Sequence, residues 1–283
     1  MGAGFAVAAS LVLVVMDTFV KLAGQELPVP QLLWARYFFH LATIVVFIPF
    51  IGWSKVVRTR QPVRQWSRGL CVALSSLFAF NAFQALPLTD VYAIGFTAPL
   101  IVTILAIPFL GEQVGPRRWA AVFVGLLGVL VVIRPGLETV NTGMMFAIVM
   151  AFMFACYQLL TRSGALQDGP LVGVFYAAVV GTIGTSLFVP FAWVAPTPLQ
   201  WAILILIGVL GAAGHWLLIM AFRSAAASFV SPFMYVQIIW STIFGALVFA
   251  DNPDPYTLLG AAILIGAGIF VLWRETVVAK RAP

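Results

Sequence analysis

Residues 81–112 read NAFQALPLTDVYAIGFTAPLIVTILAIPFLGE, and a degenerate copy returns at residues 220–251 as MAFRSAAASFVSPFMYVQIIWSTIFGALVFAD. The offset is 139 residues throughout, without a gap. Ala82 falls on Ala221, Phe83 on Phe222, Thr89 on Ser228, Val91 on Val230, Thr103 on Thr242 and Glu112 on Asp251, and the match runs on to Pro116 and Pro255. A repeat that holds register across two apolar spans and the turn between them is a duplicated membrane unit. It divides the chain into a first half, residues 1–138, and a second, residues 139–283.

The composition agrees. With 63% hydrophobic and 8% charged residues, and a mean hydropathy of +1.08, a 283-residue chain has too little polar surface to cover a soluble globule. A spanning helix needs about 20 apolar residues. Ten such stretches occur, near 3–23, 31–51, 69–87, 91–110, 117–134, 143–162, 171–192, 199–220, 229–249 and 256–273. Their unbroken length excludes a membrane barrel, whose strands are short and alternating, so the fold class is an all-α polytopic membrane protein. The first stretch lacks a basic leader and is expected to be a retained helix. Cys71 and Cys156 fall inside spans, and neither a disulfide nor a metal site is expected. No residue pattern calls for a cofactor.

Net charge +6 raises the question of nucleic acid. The placement of the charges answers it. Lys55, Arg58, Arg60, Arg64, Arg68, Arg117, Arg118, Arg162, Arg223, Arg274, Lys280 and Arg281 fall in alternate connections or the tail, and Arg134 alone marks the other side. By the positive-inside rule both termini are cytoplasmic, and the basic residues report orientation and contact with lipid rather than a nucleic-acid partner. Each half holds five spans, an odd number, so the halves cross in opposite senses, with Glu112 inside and Asp251 outside. An inverted repeat places its substrate site near the midplane, at the seam. Gly125 and Gly128 in the fifth span and Gly260, Gly266 and Gly268 in the tenth allow close helix approach.

Both hairpins end alike, the first in FLGE and the second in FAD, each with a proline four residues after the acid. On these residues the chain resembles the drug/metabolite transporter superfamily, more narrowly its ten-helix EamA-type members, built of two five-helix repeats around a central cavity. The likeness covers nearly the whole chain. The second copy departs from it at Ala250-Asp251, where the family commonly has Gly-Glu. The resemblance implies export of small metabolites across a bacterial inner membrane, and in overall likeness the chain is most similar to exporters of aromatic and other neutral amino acids. Nucleosides, sugars and drugs are the family's other cargoes.

Polar and aromatic side chains inside spans are the candidate substrate ligands: Asn81, Gln84, Tyr92, Tyr157, Gln158, Tyr176, His215, Trp216, Tyr235, Gln237 and Trp240. A zwitterionic cargo needs donors for its carboxylate, acceptors for its ammonium and an apolar pocket. The competing reading is that the amides tie helices together and the aromatics pack. Asp17 and Lys21, four apart on one helical face, are either a salt bridge or a coupling and gating pair. Arg36 and His40 form a second polar face, with Arg36 a candidate for a substrate carboxylate or an outer gate. His215 lies far along the chain from His40, a separation that suggests no metal motif. Glu112 and Asp251, each before a helix N-terminus, are expected to favour the helix dipole, and Thr89 or Asp90 to cap the fourth span.

The expected mechanism is alternating access, with Pro99, Pro108 and Pro232 as hinges and a monomer or weak homo-oligomer as the unit. An intramembrane enzyme would need a nucleophile and base or a carboxylate pair, and neither is evident. A channel would need a repeated charged ring or filter loop.

Overall fold

The computed structural model describes residues 1–111, 115–133, 141–162, 168–224 and 231–279. Glu112, Arg134, Ser228, Val230, Lys280 and Arg281 lie outside the described residues, as do the side chains of Arg117, Arg118, Arg162, Phe222, Arg223, Pro232, Gly268 and Arg274.

Apolar runs become helices because, in lipid, each backbone N–H and C=O must be satisfied within its own segment. The helices are α1 (Gly2–Ala23), α2 (Val29–Ile51), a short α3 (Trp53–Val57), α4 (Pro62–Ala85), α5 (Leu88–Gly95), α6 (Ala98–Leu110), α7 (Pro116–Ile133), α8 (Thr142–Arg162), α9 (Pro170–Phe188), α10 (Pro198–Ser224), α11 (Val236–Phe249) and α12 (Pro255–Ala279). Short 3₁₀ turns at Val189–Ala192 and Ser231–Tyr235 extend α9 and lead into α11. Six stretches among the described residues are long and apolar enough to cross a membrane whole: Gly2–Ala23, Val29–Ile51, Leu88–Leu110, Thr142–Thr161, Leu171–Ala192 and Pro198–Ala221. Large apolar side chains such as Phe50, Phe109, Phe123, Phe191 and Leu247 stand exposed on the outer faces, where lipid is their solvent.

The halves are interlocked. α1 packs on α10 while its repeat counterpart α8 packs on α4, and α2 packs on α10 as α9 packs on α4. Equivalent helices also meet across the seam, α2 with α9 and α7 with α12. A five-helix unit thus buries its polar-flecked faces against the other unit, about an axis lying in the membrane plane. Phe96 and Tyr235 occupy equivalent repeat positions, since 96 plus 139 is 235, and their rings stack obliquely at 4.7 Å. Both mark a break in a span. α5 ends at Gly95 and α6 resumes at Ala98, and the 3₁₀ turn through Tyr235 gives way to α11. Pro99, in the first turn of α6, has no N–H to donate back across its break. Pro108 lies inside α6, near its C-terminal end.

Two expectations about helix ends are corrected. The cap of α12 is Asp254, whose Oδ1 accepts the N–H groups of Tyr256 at 2.8 Å and Thr257 at 3.0 Å, so Asp251 is not the dipole partner. α5 begins after Pro87 without a side-chain cap, and the Thr89 hydroxyl instead faces that of Thr242 at 3.4 Å. The family's Gly-Glu and this chain's Ala-Asp also differ in backbone cost. Gly111 closes α6 at φ +66°, and Ala250 closes α11 in the same left-handed region at φ +56°. A non-glycine residue pays about 1 kcal/mol there, and that strained turn carries Asp251.

Candidate functional site

Mid-way along α2, Arg36 and His40 project one turn apart from the same face. Both are buried, at 8% and 4% exposure. Arg36 donates from Nη1 to the Ser76 hydroxyl of α4, and its guanidinium lies 5.3 Å from the Tyr37 ring and 5.5 Å from the Phe80 ring. The Tyr37 hydroxyl joins the same serine at 2.8 Å. Among the described residues no carboxylate pairs with Arg36 within 4.0 Å, and its Nε finds no hydrogen-bond acceptor, nor does Nε2 of His40 find a partner. Buried polar atoms left open in this way are rare in folded proteins and mark a place for something else to bind.

The two histidines, remote in sequence, meet with ring centroids 5.4 Å apart. Two histidines in contact do not by themselves make a metal site, and among the described residues no group of three or more His, Cys, Asp or Glu side chains gathers there. Gly208 makes the contact possible, because a Cβ there would come within 2.9 Å of the His40 backbone nitrogen, so only glycine lets α10 approach α2 so closely. His215 Nδ1 lies 2.8 Å from the Gly211 carbonyl, the partner to which it donates. Arg36, Tyr37, His40, Val72, Tyr157 and His215 surround a cavity of about 20 Å³. That is room for about one water molecule. Any metabolite bound here requires the helices to part.

Asp17 and Lys21 do not pair with each other, which corrects the salt-bridge reading. Asp17, half-buried on α1, accepts a 2.5 Å hydrogen bond from the Tyr92 hydroxyl of α5. Lys21 reaches across the seam to Asp251 at 2.7 Å, donates to the Leu86 carbonyl at 2.9 Å and lies 4.8 Å above the Phe249 ring. A first-half cation thereby ties a second-half carboxylate at the end where α1 finishes. At the opposite end Asp168, from the connection before α9, accepts from the Thr59 hydroxyl, the Arg60 N–H at 3.0 Å and Gln65 Nε2 at 2.8 Å. Partial burial pushes its carboxyl up, but those three donors and the nearby Arg68 guanidinium outweigh it and hold the group below the usual carboxylate range. Arg68 lies 5.5 Å from the Tyr157 ring, between this cluster and the cavity. The two clusters thus mark opposite ends of α4, at Leu86 and at Gln65.

Of the other candidate ligands, several serve as ties or packing. Asn81 donates to the Leu77 carbonyl of its own helix, and Gln84 to Val20 of α1. Tyr176 donates to the Val57 carbonyl, away from the cavity. Trp216 is 43% exposed on α10 and is not among the residues named around the cavity. Trp240 donates to Ser10 on α1, and Tyr235 is taken up by Phe96. Gln158 and Gln237 are half-buried on α8 and α11, outside the residues named around the cavity. The sequence reading overlooked Tyr37, Ser76 and Asp168. A weak signal existed for each: a tyrosine beside a buried arginine, a serine one turn from Phe80, and a lone acid in a connection facing a basic loop.

Two interlocked halves of a repeated helical unit around a small polar cavity define a membrane carrier of the two-repeat type. The chain belongs to the EamA-like transporter family, which matches residues 1–134 and again residues 141–274. It is similar to the S-adenosylmethionine uptake transporter of Rickettsia bellii, 27% identical over 259 residues covering 92% of this chain and 89% of that one. It is also similar to the riboflavin transporter of Vibrio cholerae, 28% identical over 99% of this chain and 95% of the relative, and to the pseudopaline exporter CntI of Pseudomonas aeruginosa, 26% identical over 95% and 94%. One solved crystal structure aligns with a TM-score of 0.63 over 98% of both chains at 19% identity, a likeness of fold.

Proposed function

We propose that this chain is a secondary transporter of aromatic and other neutral amino acids, or of metabolites built on an amino acid, in a bacterial inner membrane with both termini cytoplasmic. The observation that carries the proposal is Arg36, a buried guanidinium with an open Nε beside the cavity and no carboxylate in contact among the described residues. A planar cation held on a serine and two aromatic faces is built to receive a carboxylate, and Tyr37, Phe80 and Tyr157 offer apolar surface to the rest of the cargo. One relative's named cargo, S-adenosylmethionine, itself ends in an α-amino acid. Transport proceeds by alternating access: the Lys21–Asp251 tie and the Asp168 cluster open in turn about the site, with the span breaks at Phe96 and Tyr235 as hinges. Export is the direction the family resemblance implies, and the relatives include both uptake and export systems.

The test is counterflow in proteoliposomes with a panel of amino acids, nucleosides and sugars. Saturable, competable exchange of neutral amino acids is expected. Arg36→Gln should weaken every carboxylate-bearing cargo by about tenfold to a hundredfold, the value of a buried charge-assisted contact, and leave amino-acid amides little changed. Exchange of another class with no amino acid moved overturns the cargo, and non-saturating conductance overturns the carrier.

A further inference from the structure

The polar groups of the interior are strung along one face of α4. Ser76, Phe80 and Phe83 lie at i, i+4 and i+7, one stripe of a helix. Ser76 and Phe80 hold the Arg36 guanidinium. Phe83 packs against Tyr92 with ring centroids 6.1 Å apart, and Tyr92 holds Asp17. The step from Phe80 to Phe83 is just under one turn, about 5 Å of rise. One stripe of α4 thus reaches both the groups that hold Arg36 and the tyrosine that holds Asp17. α1 and α2 both approach α10 here, since a Cβ on Gly211 would lie 3.4 Å from Met16 Sδ, 3.7 Å from His40 Nδ1 and 4.0 Å from Arg36 Cγ.

The two charges do not touch. No ion-pair contact within 4.0 Å joins Arg36 to Asp17, and among the described residues neither has another counter-ion that close. A cation and an anion in low dielectric gain most by direct contact. Holding them on Ser76 and on Tyr92, out of contact with each other, forgoes that gain. A ligand that carries both signs would restore it.

We infer that Asp17, held by Tyr92, is the ammonium subsite of the cargo, and that Arg36 and Asp17 together select an α-amino acid as a zwitterion. This rests on the amino-acid reading of the Arg36 site and deepens it. The carboxylate of the cargo takes the open side of Arg36, the α-ammonium takes Asp17, and Phe80 with Phe83 flanks the α-carbon. A carboxylic acid without the amino group would leave Asp17 facing Arg36 across an unfilled gap and would bind more weakly.

The experiment measures inhibition of phenylalanine counterflow by phenylalanine itself and by 3-phenylpropanoate, its des-amino analogue, in wild type, Asp17→Asn and Asp17→Glu. Wild type should prefer phenylalanine by about tenfold or more, the worth of one buried charge-assisted contact. Asp17→Asn should erase that preference by weakening phenylalanine alone, and Asp17→Glu should restore part of it. Equal loss of both ligands in Asp17→Asn, or an unchanged preference, overturns the subsite. Counterflow that stays normal while proton-driven accumulation disappears makes Asp17 a coupling group and also overturns it. Failure of the underlying reading looks different: neither compound then inhibits wild type, whatever stands at position 17. Tyr92→Phe supplies an independent check, since it should weaken phenylalanine several-fold and spare the analogue.

Discussion

At Asp168 one side chain gathers three donors from the connection ahead of α4 and from the first turn of that helix, and so pins the second half of the chain to the first. Its carboxyl is held below the usual range, so the sign of its pH dependence follows. The folded state favours the ionised form, so the contribution is complete above the unfolded pKa and is lost as pH falls through the lower folded value. Asp168→Asn should therefore lower the melting temperature at pH 7, by about 2 °C or less because the group is only partly buried and solvent screens it. The gap between mutant and wild type should close in acid, below the carboxylate range. A gap that persists unchanged at low pH would assign the effect to packing instead of charge. Lys21 shows the same economy at the other end, satisfying a carboxylate, a carbonyl and an aromatic face with a single ammonium.

Among elements, α7 and α12 meet closely, where the last span of each half crosses its counterpart. A Cβ on Gly260 would stand 2.6 Å from the Gly128 carbonyl oxygen and 2.5 Å from Val132 Cγ2, and backbone cannot yield as a side chain would. Gly260→Leu should force the pair apart at a cost of about 3 kcal/mol, the upper end of the usual overpacking range, read as a fall in thermal stability in detergent. The ten spans were legible in the sequence because lipid demands long apolar runs, and the 139-residue register exposed the duplication. Partners were not. Helical spacing put Asp17 and Lys21 on one face, but spacing along a helix does not say which neighbours that face meets, and the true partners stand 75 and 230 positions away. For His40 and His215 the missing information was the packing of α2 on α10, which depends on a glycine whose purpose is visible only once both backbones are placed. Trp216 misled for the opposite reason: in a membrane an aromatic facing outward costs nothing, so polarity of type was a poor guide to direction.

For the molecule as a whole, the proposed cycle uses the Lys21–Asp251 tie and the Asp168 cluster as its two closures. Lys21→Met removes the tie at the α1 end while leaving the Asp168 cluster in place. In a background with Cys71 and Cys156 replaced by serine, Leu27→Cys, at a position only 2% exposed in this state, should then react several-fold faster with a membrane-impermeant maleimide added from that side. Unchanged labelling would make the tie ornamental to opening. The closures also differ in kind. Position 160, the repeat mate of Lys21, is leucine, and position 29, the mate of Asp168, is valine. Had the two halves stayed identical after duplication, the carrier would rest equally often toward either compartment and would have no preferred posture. Divergence at these few positions breaks the tie, and each 1.4 kcal/mol by which one seal outlasts the other skews the waiting state about tenfold. In the proposed cycle such a bias would be set at the rims of the molecule, and selection at the residues around Arg36.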